Sequence, residues 1–225
     1  VEAALAADKI GSMMAMVNAH WPPLHVTVID TDLALPELVR HLRQFIYVET
    51  ETGEELTLRF ADGAVLPALA LHLSAAQWSA LAAPLKTWRV HSRDAGMNKL
   101  PSPTLGKDTP AMPFVLTDGQ VAALKDAMGA DRLLANLRNM WPSQEFGRSP
   151  MEAFSWASDA RAMWLAAGRA DDALLLKFAL GVFETKGRIL RLSNLAAIVA
   201  QPNLEQVWED LRKFVELNNY ESQNE

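Results

Sequence analysis

Apolar and polar positions alternate with period two in several short runs of the first half of the chain. They give way to helical spacing alone in the second half. LHVTVI (24–29) reads as a strand, and Pro36 opens a helix whose Leu38, Leu42 and Phe45 fall at i, i+4 and i+7. FIYVE and LTLRF follow as the arms of a hairpin around TETGE. Leu56, Leu58 and Phe60 face one side there and Thr57 and Arg59 the other, and Gly53 supplies the turn residue for which positive φ is cheap. Residues 64–73 form a Leu-rich helix. Ser74 and Gln77 make a capping box that starts the next helix, SAAQWSALAA, and KTWRVHS returns as a strand.

DAGMNKLPSPTLGKDTPAMP (94–113) carries four prolines and two glycines and no apolar period, the composition of a linker. Beyond it the starts are helical: Thr117 with Gln120, and Ser149 and Pro150 with Glu152. Gly168 closes the second of these helices. DDALLLKFALGVFETKG is apolar on nearly every side and predicts a central helix whose Lys177 must snorkel or pair. NLEQVWEDLRKFVELNN places Leu204, Val207, Trp208, Leu211, Phe214 and Val215 on one stripe, as a helix covering that core would. The expected fold is α+β: an α/β lobe with a small mixed sheet (1–93), a linker (94–113) and an all-helical lobe (114–225).

Composition narrows the function. Half of the 225 residues are apolar, and 21 basic residues stand against 27 acidic ones, a net charge of −6 with no basic run. Nucleic acid and anionic membrane surfaces are therefore poor partners, and proteins or small molecules better ones. No apolar run is long enough to span a bilayer. The apolar run 10–17 follows Lys9, but Glu2 and Asp8 precede it, unlike the basic start of a secretory leader. With no cysteine there is no disulfide, thiolate metal site or cysteine nucleophile. A nucleophile elbow, H-E-x-x-H, a phosphate loop and a dinucleotide fingerprint are all missing.

His41 and Arg43 share the first helix on different faces. With no nucleophile in view, His41 is expected to bond a backbone carbonyl and Arg43 to be solvated or paired. Arg59 and Asp62 flank a strand-to-helix corner, where Asp62 can cap the amides of Ala64 or Val65 while Arg59 holds the carboxylate. His41, Arg43, Arg59 and Asp62 are thus expected to be scaffold. His20 and His25 offer no third metal ligand, so neither a metal nor a cofactor is expected. The surplus of large apolar side chains is the positive signal. On the helix from Met151, Trp156, Ala160, Met163 and Ala167 form one face while Phe154 and Trp164 lie off it, so one core does not easily bury them all. Trp156, Met163 and Trp164 are the expected partner anchors.

In order, the chain presents HLR (41–43), ETGEE, RFAD (59–62), VLPALALHL, AAQW and PLKTW (84–88). That succession over residues 24–92 resembles the Tap-type adaptor chaperones of bacterial type VI secretion. Gly63 and Ala64 depart from the Pro-Arg that often follows the Asp there, so no arginine role at that corner is carried over. The family's initial strand is not recognisable before Trp21, which implies a trimmed N-terminus and an exposed sheet edge. The resemblance implies a non-enzymatic cytoplasmic adaptor that binds a cognate effector and helps load it on the VgrG spike. Two other readings stay open: a hydrolase using His41 and Asp62, and an immunity-like protein that neutralises a toxin.

Overall fold

A computed structural model describes residues 27–94, 96–103 and 114–222, from 217 on by backbone alone. The strand expected at 24–26, His20 and His25, and the second half of the expected linker lie outside the described residues. The fold is α+β, and the chain divides into two compact units, 1–128 and 129–225.

Among the described residues the first unit holds two three-stranded sheets where the sequence suggested one. In the first, β1 (Thr27–Thr31) and β5 (Met97–Lys99) flank β4 (Leu85–His91), all antiparallel, with Ile29 opposite Trp88 and Val90 opposite Asn98. The register slips by a bulge at Asp30/Thr31, where the Thr31 hydroxyl donates to the Pro84 carbonyl at 2.6 Å. In the second, β2 (Tyr47–Thr50) pairs antiparallel with β3 (Glu55–Thr57) and parallel with β6 (Val115–Leu116). Leu58 and Phe60 lie past the end of β3 yet stay buried, so the alternation read in LTLRF holds for side-chain direction beyond the regular strand.

Among the described residues three helices precede β4 and one follows β6: α1 (Leu35–Arg43), α2 (Leu66–His72), α3 (Ala75–Ala82) and α4 (Asp118–Ala127). At α1, Ala34 has no side-chain acceptor, and Glu37 reaches back to its amide at 3.2 Å. The aromatic core joins both sheets to the helices: Trp78 stacks on Trp88 at 6.0 Å, Phe60 meets the Trp88 ring edge-on at 6.3 Å, and Phe45 meets Phe114 at 5.5 Å.

Two corrections to the expected organisation follow. Residues 97–99, placed in the linker, form β5. Residues 114–127, placed in the helical lobe, complete the first unit, because Phe114 and Leu116 are buried in its core. Two capping boxes lock that closure. Gln77 takes the Ser74 amide and Gln120 the Thr117 amide, as caps do. Their free amide nitrogens then cross: Gln77 Nε2 donates to the Val115 carbonyl at 2.7 Å. Gln120 Nε2 donates to Gln77 Oε1 at 2.6 Å and to the His72 carbonyl at 3.1 Å.

The second unit is helical: α5 (Gly129–Met140), α6 (Pro150–Ala166), α7 (Asp172–Glu184), a 3₁₀ turn (Arg188–Arg191), α8 (Leu195–Val199) and α9 (Leu204–Ser222). Ser149 and Asp171 cap α6 and α7 by accepting the amides of Glu152 and Leu174. Helix α7 buries Leu175, Phe178, Ala179, Val182 and Phe183, as its all-round apolar sequence requires. Its Lys177 lies 5.3 Å from the centre of the Trp208 ring, a cation–π contact that lets the cation stay at the rim. At the end of α7 the chain reverses through Gly187, φ 75°, whose amide bonds the Val182 carbonyl at 2.8 Å. A side chain there would meet the Trp156 indole at 2.6 Å, so the turn needs glycine for space as well as for φ.

Replacing Gln120 by Ala should lower the stability of the first unit by about 0.5–1.5 kcal/mol, because the part-buried His72 carbonyl and Gln77 side chain lose their bonds; urea denaturation measures it. Burial raises the Glu184 carboxyl above its ordinary value of 4.5, so the folded unit binds that proton more tightly than the unfolded chain. Stability is then lost as pH rises through that range. Glu184→Gln should raise the thermal midpoint at pH 7 and leave it unchanged below about pH 4.

Candidate partner-binding site

Of the four expected scaffold residues, His41, Arg59 and Asp62 bond into the frame, and Arg43 is the correction: it stands exposed. His41 Nε2 lies 2.9 Å from the Leu81 carbonyl oxygen and must be the protonated nitrogen there, so the ring links α1 to α3. Arg43 is exposed in the last turn of α1, where a cation complements the helix dipole. Arg59 donates to Asp62 Oδ2 at 2.9 Å, and Asp62 Oδ1 accepts the Ala64 amide at 2.9 Å. Both carboxylate oxygens are therefore engaged in turning the chain from β3 into α2.

Other charged groups are set by equally local causes. The Ser92 hydroxyl, then the Gly96 amide, hold the Asp94 carboxyl below its usual range, and a hydrogen bond to Asp32 raises Lys86. Among the described residues no group of three or more His, Asp or Glu could hold a metal ion. A cleft beside Trp78 and Trp88, rimmed by Lys86, Lys99 and Pro101, encloses about 10 Å³. That is room for about one water, and neither an imidazole nor a carboxylate lines it.

The three expected anchors do not project together from α6. Trp164 is a correction: it is 2% exposed and stacks on Phe178 at 6.0 Å, so it belongs to the core of the second unit. Trp156 is half-buried, its ring edge against Phe183 at 5.6 Å and its indole over Gly187. Met163 is half-buried against the same core. The buried face of α6 is Ala153, Ala157, Ala160 and Trp164. Small residues there let the neighbouring helices approach, and the larger Trp156 and Met163 are left on the flank.

The opposite face carries Met151, Ser155, Ser158, Ala162 and Leu165, spaced to fall in one line along the helix. Met151 is 46% exposed and Leu165 45%. Sequence reasoning missed these two, although a signal was there: the line carries no charge on what should be a solvent face, and large apolar side chains stand at both of its ends. The small Ser155, Ser158 and Ala162 between them leave the helix surface open to close approach. This outward line leaves two large apolar side chains at the surface of the second unit, as Met140 (58% exposed) is at the end of α5.

Residues 3–80 match the family described as domain of unknown function (DUF4123), a domain known in type VI secretion effector adaptors. No curated protein and no solved structure matches the chain. The matched stretch contains the His41 tie, the Arg59–Asp62 corner and the Ser74–Gln77 cap.

The two adjacent residues of α6 separate packing from display. Trp164→Ala should cost the second unit about 3–5 kcal/mol, and Leu165→Ser no more than about 0.5 kcal/mol. Equilibrium denaturation of both variants checks the contrast.

Proposed function

We propose that the chain is a non-enzymatic adaptor that binds a cognate type VI secretion effector in the cytoplasm and helps load it on the VgrG spike. The DUF4123 match over residues 3–80 carries this reading. Two features of the geometry support it. His41 and Asp62, the pair a hydrolase would need, have Nε2 and both carboxylate oxygens committed to backbone and to Arg59. Helix α6 meanwhile keeps Met151 and Leu165 at the surface at a cost in exposed apolar area that a binding partner would remove. Met is suited to the purpose because its unbranched, polarisable chain adapts to the partner it meets. An adaptor of this kind needs no cofactor. No helix among the described residues is long and apolar enough to cross a membrane.

The reading is tested on a candidate type VI secretion effector from the same genome. The adaptor should capture it, and Met151→Asp with Leu165→Asp should weaken capture by at least about thirtyfold, the loss typical of a hot spot worth about 2 kcal/mol. Circular dichroism confirms that the variant is folded. Capture at the parental affinity by the folded variant would remove α6 from the interface; no capture by the parent would remove the adaptor reading itself.

A further inference from the structure

The sheet built on β2 ends on one side at β3, and two hydrogen bonds fix which backbone groups of that edge strand are engaged. The Thr50 amide donates to the Glu54 carbonyl at 2.9 Å and the Leu58 amide to the Ile46 carbonyl at 2.7 Å. Bonded pairs alternate with open pairs along an antiparallel ladder, so Val48 and Leu56 form the bonded pair between these two. Glu55 and Thr57 therefore turn their N–H and C=O groups away from β2. Among the described residues no strand or side chain takes those groups. The other edge differs, because Gln77 occupies the Val115 carbonyl of β6.

The face beside the open edge is acidic. Tyr47, Glu49, Glu55 and Thr57 share the exposed side of the sheet, Tyr47 at 61%, while Val48 and Thr50 are buried on the other. Glu49 stands directly opposite Glu55. An open pair brings its two Cα atoms to about 4.5 Å, closer than a bonded pair, and like charges so placed destabilise a sheet. No cation among the described residues pairs with either carboxylate. Arg59, the next outward side chain after Thr57, is held by Asp62, and Glu51 accepts the Asp118 amide. Short length and one charge are enough to protect an edge from stray pairing. The opposed Glu49 adds a repulsion that protection does not need, and a guanidinium laid across both carboxylates would turn it into attraction.

Open backbone groups recognise an extended segment by strand addition, and the side chains beside them select its sequence. Strands lie about 4.8 Å apart, so a residue opposite Glu55 on an added strand starts about 10 Å from Glu49, within reach of an arginine and a glutamate together. A second copy of this chain is a poor occupant, because its own β3 would set Glu54 and Glu55 against the same acids. We propose that the β3 edge takes an extended segment of another protein as a further strand, and that this segment carries an arginine seated on Glu49 and Glu55 beside the Tyr47 ring. The proposal is independent of the adaptor reading, since loss of effector capture through α6 would leave it standing.

Nuclear magnetic resonance of the isotope-labelled full chain tests it. The probe is an acetylated, amidated hexapeptide that alternates Arg with Thr, and the control carries Glu in place of Arg. In the free chain the Glu55 and Thr57 amides should exchange with solvent at least about tenfold faster than the bonded Leu56 amide. The basic peptide at millimolar concentration should shift the Glu55 and Thr57 resonances and slow their exchange, and the acidic peptide should do neither. Glu49→Gln with Glu55→Gln should weaken the basic peptide at least about tenfold. That variant loses a repulsion, so its thermal midpoint should equal or exceed the parent's, which shows that it is folded. Protection of the Glu55 and Thr57 amides in the free chain would overturn the proposal, because the edge would then be covered by the chain itself or by a second copy. It would be overturned equally by no response to the basic peptide, by an equal response to the acidic one, or by parental affinity in the double variant.

Discussion

The first unit depends on the burial of a very short strand. Phe114 and Leu116 enter its core, and β6, which runs from Val115 to Leu116, is too short at two residues to hold its place by its own ladder. Three things keep it there. β2 pairs with it in parallel, the Phe114 ring meets Phe45 edge-on, and Gln77 takes the Val115 carbonyl. Gln77 can do so only because it is the N3 residue of one capping box and is met by Gln120, the N3 residue of another. Helix starts, normally local matters, are here the means by which distant pieces of chain are joined. The closure has a modest entropic cost, since the penalty for a long intervening loop grows only logarithmically.

This explains what could and could not be read from the sequence. The capping boxes at Ser74 and Thr117, the cap at Ser149, the hairpin around Gly53 and the central character of α7 rest on neighbouring residues, and local spacing was enough. The position of β6 rests on β2, far away in sequence, and no period can be seen in two residues. The linker's bounds were misplaced for a related reason: Pro and Gly mark where regular structure stops, but residues 97–99 form β5 and Phe114 is buried.

The candidate surface shows a second limit. Weighing Trp and Met above Ala pointed to Trp156 and Met163 as one face of α6 and set Trp164 apart. The core chose the face with three alanines and Trp164, because close approach of helices rewards small side chains as much as large ones. Once that face is fixed, Met151 and Leu165 are left outside by geometry. The site is thus legible only after the core is known. The scaffold residues were easier: Arg59 and Asp62 find their partners where the corner predicts, and His41 bonds a backbone carbonyl as expected, although that of Leu81 in another helix could not be named from local spacing.

The most direct measurement of the proposed function is reconstitution of the chain with a candidate type VI secretion effector and a VgrG protein from the same genome, followed by size-exclusion chromatography with light scattering. The account predicts that effector and spike co-elute only when this chain is present. Equal association of the two without it would contradict the account.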